Sequence, residues 1–217
     1  MAATPQGTAA RHVVEQVQPA FPHAVGPAAL MMGLRALRPE LDADERAQIS
    51  ILRSATLGVA GLVSPVGLAI AARRALVAAK VTAEPLTLPL HHVVAAIGDP
   101  SALATHRAIC ADHLATARAM GIPLYESAVS LEEVEGVLVL DGLPLVLVQR
   151  SFADGLLAPA PHWVIVIGTD DSHVMLRDPL AAVDAAPTVV ARATFEGTLG
   201  SHGDSALVAL YPLPTRP

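Results

Sequence analysis

Two residues in the second half of the chain could carry acid–base chemistry. His162 opens a short apolar run, Asp178 follows a second one, and a polar stretch centred on Asp170 and Asp171 separates the two runs. Short apolar runs bounded by turn residues are typical of paired strands. If the hairpin turns around Asp170 and Asp171, antiparallel pairing places residue 162 opposite residue 178 or 179. The sequence therefore predicts that His162 lies beside Asp178, with the imidazole as a base that the carboxylate orients and charges.

The segment 24–32 contains the start of a predicted helix. It reads Ala-Val-Gly-Pro-Ala-Ala-Leu-Met-Met, and its Gly26-Pro27 pair opens a predicted helix over 27–37 with apolar residues at helical spacing. The positive end of a helix dipole favours an anionic nucleophile at such a position. Val25, which stands there, has no nucleophilic atom.

These two segments together resemble the papain-like bacterial cysteine peptidases of family thirty-nine, which include the bacteriocin-processing type. In that family a Cys-Gly-Pro-Ala signature carries the nucleophile, and a nearby imidazolium favours its thiolate. Val25 stands at the position of that cysteine here. The run Pro-His162-Trp-Val, followed by a hairpin and Asp178-Pro, matches the positions of the family's catalytic histidine and its aspartate partner. The resemblance covers nearly the whole chain.

The resemblance implies an α+β papain-like fold, in which N-terminal helices pack on a C-terminal antiparallel sheet. It also implies that His162 and Asp178 are the catalytic residues and that Val25 marks a vacated nucleophile position. We expect one such domain over residues 16–217, preceded by a disordered N-terminus over residues 1–15.

A glutamine upstream of the cysteine normally contributes to the oxyanion hole of these peptidases. Gln18 is the nearest candidate, although it precedes Val25 by seven residues, one more than the family spacing. Gln16 is the alternative, and the sequence leaves the choice between them open.

A metal site is a further hypothesis for the long helix predicted after residue 99. His106, Cys110 and His113 fall at positions i, i+4 and i+7, so all three could face one side of that helix, with His91 or His92 as a fourth ligand. The alternative is that Cys110 belongs to the apolar stripe of the helix and the histidines flank it. The second interpretation is favoured, so no metal or other cofactor is expected.

The elements that must position these residues change type along the chain. Caps and helical spacing predict helices first, over 27–37, 65–79, 100–121 and 131–142. A further helix is predicted from an acidic first turn over 42–45, with capping-box spacing, to about Ala55. A short segment over 86–90 is predicted to be extended. Short apolar runs then predict strands over 143–148, 163–168, 173–177 and 206–211. Helices followed by antiparallel strands make an α+β domain.

Composition excludes several classes of protein. The formal net charge of −6 argues against nucleic acid as a partner, because phosphate binding draws on clustered Lys and Arg. The single cysteine, Cys110, rules out an internal disulfide and fits a reducing compartment. Residues 1–11 have no apolar signal-peptide core, so the chain is expected to be cytoplasmic.

A membrane span is considered for the uncharged run over residues 54–72. Its 19 residues approach the length that a bilayer requires. However, the run contains three glycines and a central Ser64-Pro65 pair, which is a good helix start. The run is therefore predicted to hold a helix end, a loop and a new helix, and no membrane partner is expected.

Two functions of different classes remain open. The first is an enzyme without a covalent step, in which His162 acts as a general base for acyl transfer, cyclisation or amide chemistry on a small or peptide-like substrate, such as occurs in natural-product pathways. The second is a pseudo-peptidase that binds a peptide or a carrier protein and has no activity. The accessibility and polarity of the cleft at His162 separate the two.

Overall fold

The structure is a computed structural model that describes residues 8–9, 12–21, 24–57, 63–86, 99–148, 162–200 and 204–213. Six helices lie in these ranges: α1 (Val25–Leu37), α2 (Glu45–Ala55), α3 (Pro65–Arg74), α4 (Pro100–Ala119), α5 (Leu131–Val139) and α6 (Arg192–Glu196). Eight strands lie in the same ranges: β1 (Thr8–Ala9), β2 (Ala78–Glu84), β3 (Leu124–Glu126), β4 (Leu143–Val148), β5 (His162–Thr169), β6 (His173–Arg177), β7 (Thr188–Ala191) and β8 (Ser205–Tyr211).

The strands form one sheet in the order β3-β2-β8-β4-β5-β6-β7, and β1 pairs with the far end of β5. The pairing of β2 with β3 is parallel, and the other pairings are antiparallel. β5 therefore lies inside the sheet, between β4 and β6. This arrangement of helices and a largely antiparallel sheet confirms the predicted α+β class.

Both faces of the sheet are buried. One core lies between the sheet and α1 to α4, and a second lies between the opposite face and α5 and α6. Alternate residues of β5 contribute to the two cores, because side chains of a strand alternate between faces. Trp163 and Ile165 belong to the first core, and Val164 and Val166 belong to the second. This two-sided burial explains why the sequence of β5 is a continuous apolar run rather than an alternating one.

Polar caps fix the helix starts, which lie where the sequence predicts for α3, α4 and α5. The start of α2 differs, because the helix begins at Glu45, after most of the stretch 42–45 that was predicted to be its first turn. The side chains of Asp44, Ser64, Asp99 and Ser130 each accept a hydrogen bond from a backbone N–H in the first turn of α2, α3, α4 and α5, respectively. Such a cap satisfies one of the N–H groups that have no partner inside the helix. At the other end of α4, Gly121 has a φ of 67°, which is the conformation that favours glycine after a helix.

The third helix is shorter than its sequence predicts. The prediction extended it to Ala79, but α3 ends at Arg74 and Leu76 adopts a φ of 59°. Residues from Ala78 onward then form β2, which pairs along its whole length with β8. Alanine-rich sequence favours a helix locally, and the hydrogen bonds to a strand more than a hundred residues away override that preference. The segment predicted as extended over 86–90 lies, after Leu86, outside the described residues.

The N-terminal region also differs from the expectation of disorder over residues 1–15. Thr8 and Ala9 pair with the end of β5, and the side chain of Val14 is buried in the first core. The sequence around these residues does not predict their ordered positions, because they are held by contacts with distant parts of the chain.

In the part of the chain that the structure describes, no helix combines the length and the apolar character needed to cross a bilayer. The uncharged run over 54–72 is divided as predicted, since α2 ends at Ala55 and α3 begins at Pro65. Gly58 and Gly61, which were predicted to lie in the intervening loop, are outside the described residues.

The close approach of α2 to α3 at Gly67 gives a test of the helical layer. A Cβ at position 67 would lie 2.5 Å from the Cα of Ala55 and 2.9 Å from the carbonyl oxygen of Ser54. Because backbone atoms cannot swing aside, we expect Gly67→Ala to lower the free energy of unfolding by about 1–3 kcal/mol in urea titrations. The matched control is Gly136→Ala in α5, where a Cβ would meet nothing within 4 Å. That change should instead stabilise the protein by roughly 0.5–1 kcal/mol, and equal effects of the two substitutions would contradict the packing described here.

Candidate active site

His162 and Asp178 form a buried hydrogen-bonded pair. The Nε2 atom of His162 lies 3.0 Å from Oδ2 of Asp178. The histidine is 7% exposed and the aspartate is fully buried. When Nε2 carries the proton and donates it to the carboxylate, Nδ1 is the nitrogen with a free lone pair. The arrangement is that of a base whose ring orientation and tautomer are set by a carboxylate.

Strand pairing places the histidine, and a turn places the aspartate. His162 is the first residue of β5 and pairs with Val148, the last residue of β4. Asp178 directly follows β6 and opens a turn, in which its Oδ1 atom accepts a hydrogen bond from the N–H of Leu180 at 2.9 Å. The N–H of Ala181 closes the same turn on the Asp178 carbonyl oxygen at 3.0 Å.

The predicted register of the hairpin is wrong, although the predicted contact is present. The pairing shifts between Val166 and Gly168, and Ile165 then lies opposite Arg177. Continued from that pair, the ladder would place residue 180 opposite residue 162, rather than residue 178 or 179. The His162–Asp178 contact is therefore diagonal, and it forms because the turn after β6 directs the carboxylate back toward β5.

Both candidate glutamines lie against this turn. Gln16 donates through Nε2 to the carbonyl oxygen of Asp178 at 2.6 Å and reaches that of Ala181 at 3.4 Å. Gln18 donates through Nε2 to the carbonyl oxygen of Ala181 at 3.2 Å. Each of the two side chains thus donates a hydrogen bond to the turn that contains the aspartate. A role for Gln18, or for Gln16, as an oxyanion donor stays a prediction.

A further glutamine, which the sequence gave no reason to single out, holds the segment that carries these two. Gln48 of α2 is 2% exposed, donates to the carbonyl oxygen of Gln18 at 3.0 Å and accepts from the N–H of Ala20 at 2.9 Å. No local sequence pattern predicts these contacts, because the partners of Gln48 lie about thirty residues away. The contact ties the first residues of the domain to the helical layer.

Val25 is the first residue of α1 and is half-buried. The helix runs along β5 in the same direction, because a Cβ at Gly26 would meet Trp163 while one at Gly33 would meet Ile165. The N-terminus of α1 therefore lies at the end of β5 that carries His162. Ala24 at the cap position makes no side-chain hydrogen bond there, so the positive end of the helix dipole is not capped by a side chain.

The three residues considered as metal ligands are all buried on one face of α4. His106 is 4%, Cys110 6% and His113 8% exposed, so the histidines belong to the buried face instead of flanking it as expected. Among the described residues, no group of three or more His, Cys, Asp or Glu side chains could hold a metal ion. His91 and His92 lie outside the described residues. Burial raises the pKa of the Cys110 thiol to about 11, which makes its thiolate a minor form at neutral pH.

Burial of His113 predicts a loss of stability at acidic pH. Desolvation lowers the pKa of His113, an effect that Asp112 opposes and Arg74 reinforces. The unfolded chain therefore binds the proton more readily than the folded one. The free energy of unfolding should be constant above about pH 6.5, the ordinary value for histidine, and should fall as the pH drops below it. We expect His113→Leu to flatten this slope in urea titrations between pH 7 and pH 5. A slope that is unchanged in the variant would show that another group carries it.

The start of α1 can be tested by introducing a thiol at position 25. In Val25→Cys, the helix dipole and the His162–Asp178 pair should both favour the thiolate, so the introduced thiol should titrate at least about one unit below the ordinary value near 8.5. The pH dependence of alkylation measures this, and the buried Cys110 serves as the slow internal control. Adding His162→Ala should return the reactivity toward that of an ordinary cysteine. An unshifted profile in Val25→Cys that His162→Ala leaves unchanged would mean that the pair does not act on position 25.

Comparison with known proteins identifies the family of this chain. A family model described as the Peptidase_C39 like family matches residues 14–210. A crystal structure of a protein assigned as a C39-like peptidase from Bacillus anthracis aligns with a TM-score of 0.57 and 15% identity, over 95% of this chain and 98% of that chain. At that identity the likeness concerns the fold. No curated protein matches the sequence. Because the family model covers most of the chain, the chain belongs to the Peptidase_C39 like family.

Proposed function

We propose that this protein catalyses acyl transfer, or related cyclisation or amide chemistry, with His162 as a general base and without a covalent enzyme intermediate. The observation that carries the proposal is the 3.0 Å contact between His162 and the fully buried Asp178. A carboxylate held in that position stabilises the imidazolium that forms when the ring accepts a proton. The pair lies at the N-terminal end of α1, where Val25 offers no atom that could hold an acyl group.

The reaction then takes place between two substrates, or between two parts of one substrate. Nδ1 of His162 removes the proton from an amine, a hydroxyl or a water molecule as that group attacks the acyl carbon. The same proton passes to the leaving group as the bond to the acyl donor breaks. Backbone N–H groups at the start of α1 are suitably charged to stabilise the oxyanion that develops between the two steps.

The rate enhancement that a general base can provide indicates the class of substrate. General base catalysis contributes roughly 10²–10⁴-fold, which is enough for an activated acyl donor and too little for an unactivated peptide bond. We therefore propose a thioester or an activated ester as donor, on a small molecule, a peptide or a carrier protein. Such donors are common in natural-product pathways, which is where we place the reaction.

A second candidate is a pseudo-peptidase that binds a peptide or a carrier protein without turnover. The 7% exposure of His162 favours it, because so little of the ring is open to a substrate. The apolar side chain at position 25 is compatible with either candidate.

The two candidates differ in what a model acyl donor does. With an aryl ester or an N-acetylcysteamine thioester and a panel of amines, we expect product formation that falls about 10²–10⁴-fold in His162→Ala. The intact mass of the protein should stay unchanged during turnover, because no acyl-enzyme forms. Cys110→Ala, which removes the one cysteine of the chain, should keep the full rate.

Two results would contradict the enzyme. One is a rate that His162→Ala leaves unchanged, and the other is a transient mass increase equal to the acyl group. Saturable binding of a peptide or carrier by the parent protein, without product formation, would instead support the pseudo-peptidase.

A further inference from the structure

The side chain of Gln16 reaches the backbone of the residue that orients His162. Its Nε2 atom donates to the carbonyl oxygen of Asp178 at 2.6 Å, across 162 positions of sequence, and lies 3.4 Å from that of Ala181. Gln16 is half-buried, and its Oε1 atom is buried with no hydrogen-bond partner among the described residues. The donor end of this amide is therefore used on the aspartate's own peptide group.

This position requires a donor. Both partners of Gln16 are carbonyl oxygens, which only accept hydrogen bonds, so the amide nitrogen must face them. A glutamate of the same shape would present an oxygen to an oxygen at that distance. An apolar side chain would remove the donor at position 16 from the Asp178 carbonyl, which also accepts from the N–H of Ala181 within the turn.

The hydrogen bond from Gln16 is made to the peptide group of Asp178, whose orientation sets the direction of the carboxylate. Asp178 lies past the end of β6, whose last residue, Arg177, pairs with Ile165 of β5. One oxygen of its carboxylate accepts a hydrogen bond from the N–H of Leu180, and the other lies against Nε2 of His162. Both contacts depend on the orientation of this turn. Fixing the Asp178 peptide group fixes the turn, and through it the distance to the imidazole.

Gln18 provides a natural comparison, because it donates to the same turn but at Ala181 alone, and it does so at the exposed surface. The two glutamines have the same chemistry and lie two residues apart. Only Gln16 bonds the peptide group of the aspartate.

We infer that Gln16 is a positioning residue for the His162–Asp178 pair, holding the turn so that the carboxylate stays on Nε2 of the imidazole. Its importance for a reaction rests on the proposed function, whereas its effect on the imidazole does not. Loss of the donor at position 16 lets the turn rotate, so that Nε2 loses its acceptor and the ring loses its fixed tautomer.

The experiment uses ¹⁵N-labelled full-length protein and follows the ring nitrogens of His162 by NMR, assigned with His162→Ala. In the parent protein we expect the Nε2–H tautomer, with a ring proton protected from exchange with water. Gln16→Met, which keeps the length and removes the donor, should mix the tautomers and speed that exchange about tenfold, the effect of one ordinary hydrogen bond. Gln16→Glu should do the same, and thermal unfolding confirms that each variant is folded.

The control is Gln18→Met, which should leave the tautomer and the exchange rate as in the parent. Equal effects of the changes at 16 and 18, or no effect of either change at 16, would overturn the inference while leaving the proposed chemistry open. The expected NMR result, combined with acyl transfer that is insensitive to His162→Ala, would instead refute the proposed function and keep the positioning role. A parent protein without the protected Nε2–H proton would refute both.

Discussion

The carboxylate of Asp178 is fully buried, and such a group is tolerated only where hydrogen bonds and a suitable partner offset its lost hydration. The Nε2 atom of His162 and the N–H of Leu180 serve the two oxygens, at 3.0 Å and 2.9 Å. These contacts need β5 to begin at the histidine and the chain to turn as soon as β6 ends. The sheet supplies the first condition, because β4 and β6 hold β5 on both sides.

Two parts of the helical half of the domain lie close to the His162–Asp178 pair. α1 brings its N-terminus to the same end of β5, through the contact of Gly26 with Trp163. Gln16 and Gln18, in the segment before α1, donate hydrogen bonds to the turn after β6. Gln48 of α2 donates to the backbone of the same segment. The site is thus built where helices, sheet and a connecting segment converge, and no single element contains it.

Val25, the first residue of α1, limits the chemistry that this end of the helix can contribute. An isopropyl group at the start of α1 can form contacts, but it can neither be charged nor attack a carbonyl carbon. In the proposed reaction the pair of His162 and Asp178 would need no thiol in order to move a proton, since a general base can act on a nucleophile that the substrate supplies. That difference is the physical basis for proposing a reaction without an acyl-enzyme.

The local sequence by itself determined the elements whose signals lie within a few residues. The caps at Ser64 and Ser130 and the apolar runs of β4 and β6 predicted their elements correctly, because capping and strand pattern are short-range properties. The contact between His162 and Asp178 was also predicted from the sequence, although with another register. The tertiary structure alone decided the rest: that 78–84 is a strand, that the hairpin register shifts at a bulge, and that Gln16 and Gln48 hold the turn and its neighbour. The strand and the two glutamine contacts depend on hydrogen bonds between residues about thirty to more than a hundred positions apart, which local sequence patterns do not reveal. The register shift lies within one hairpin, where a continuous apolar run on β5 does not specify which residues pair.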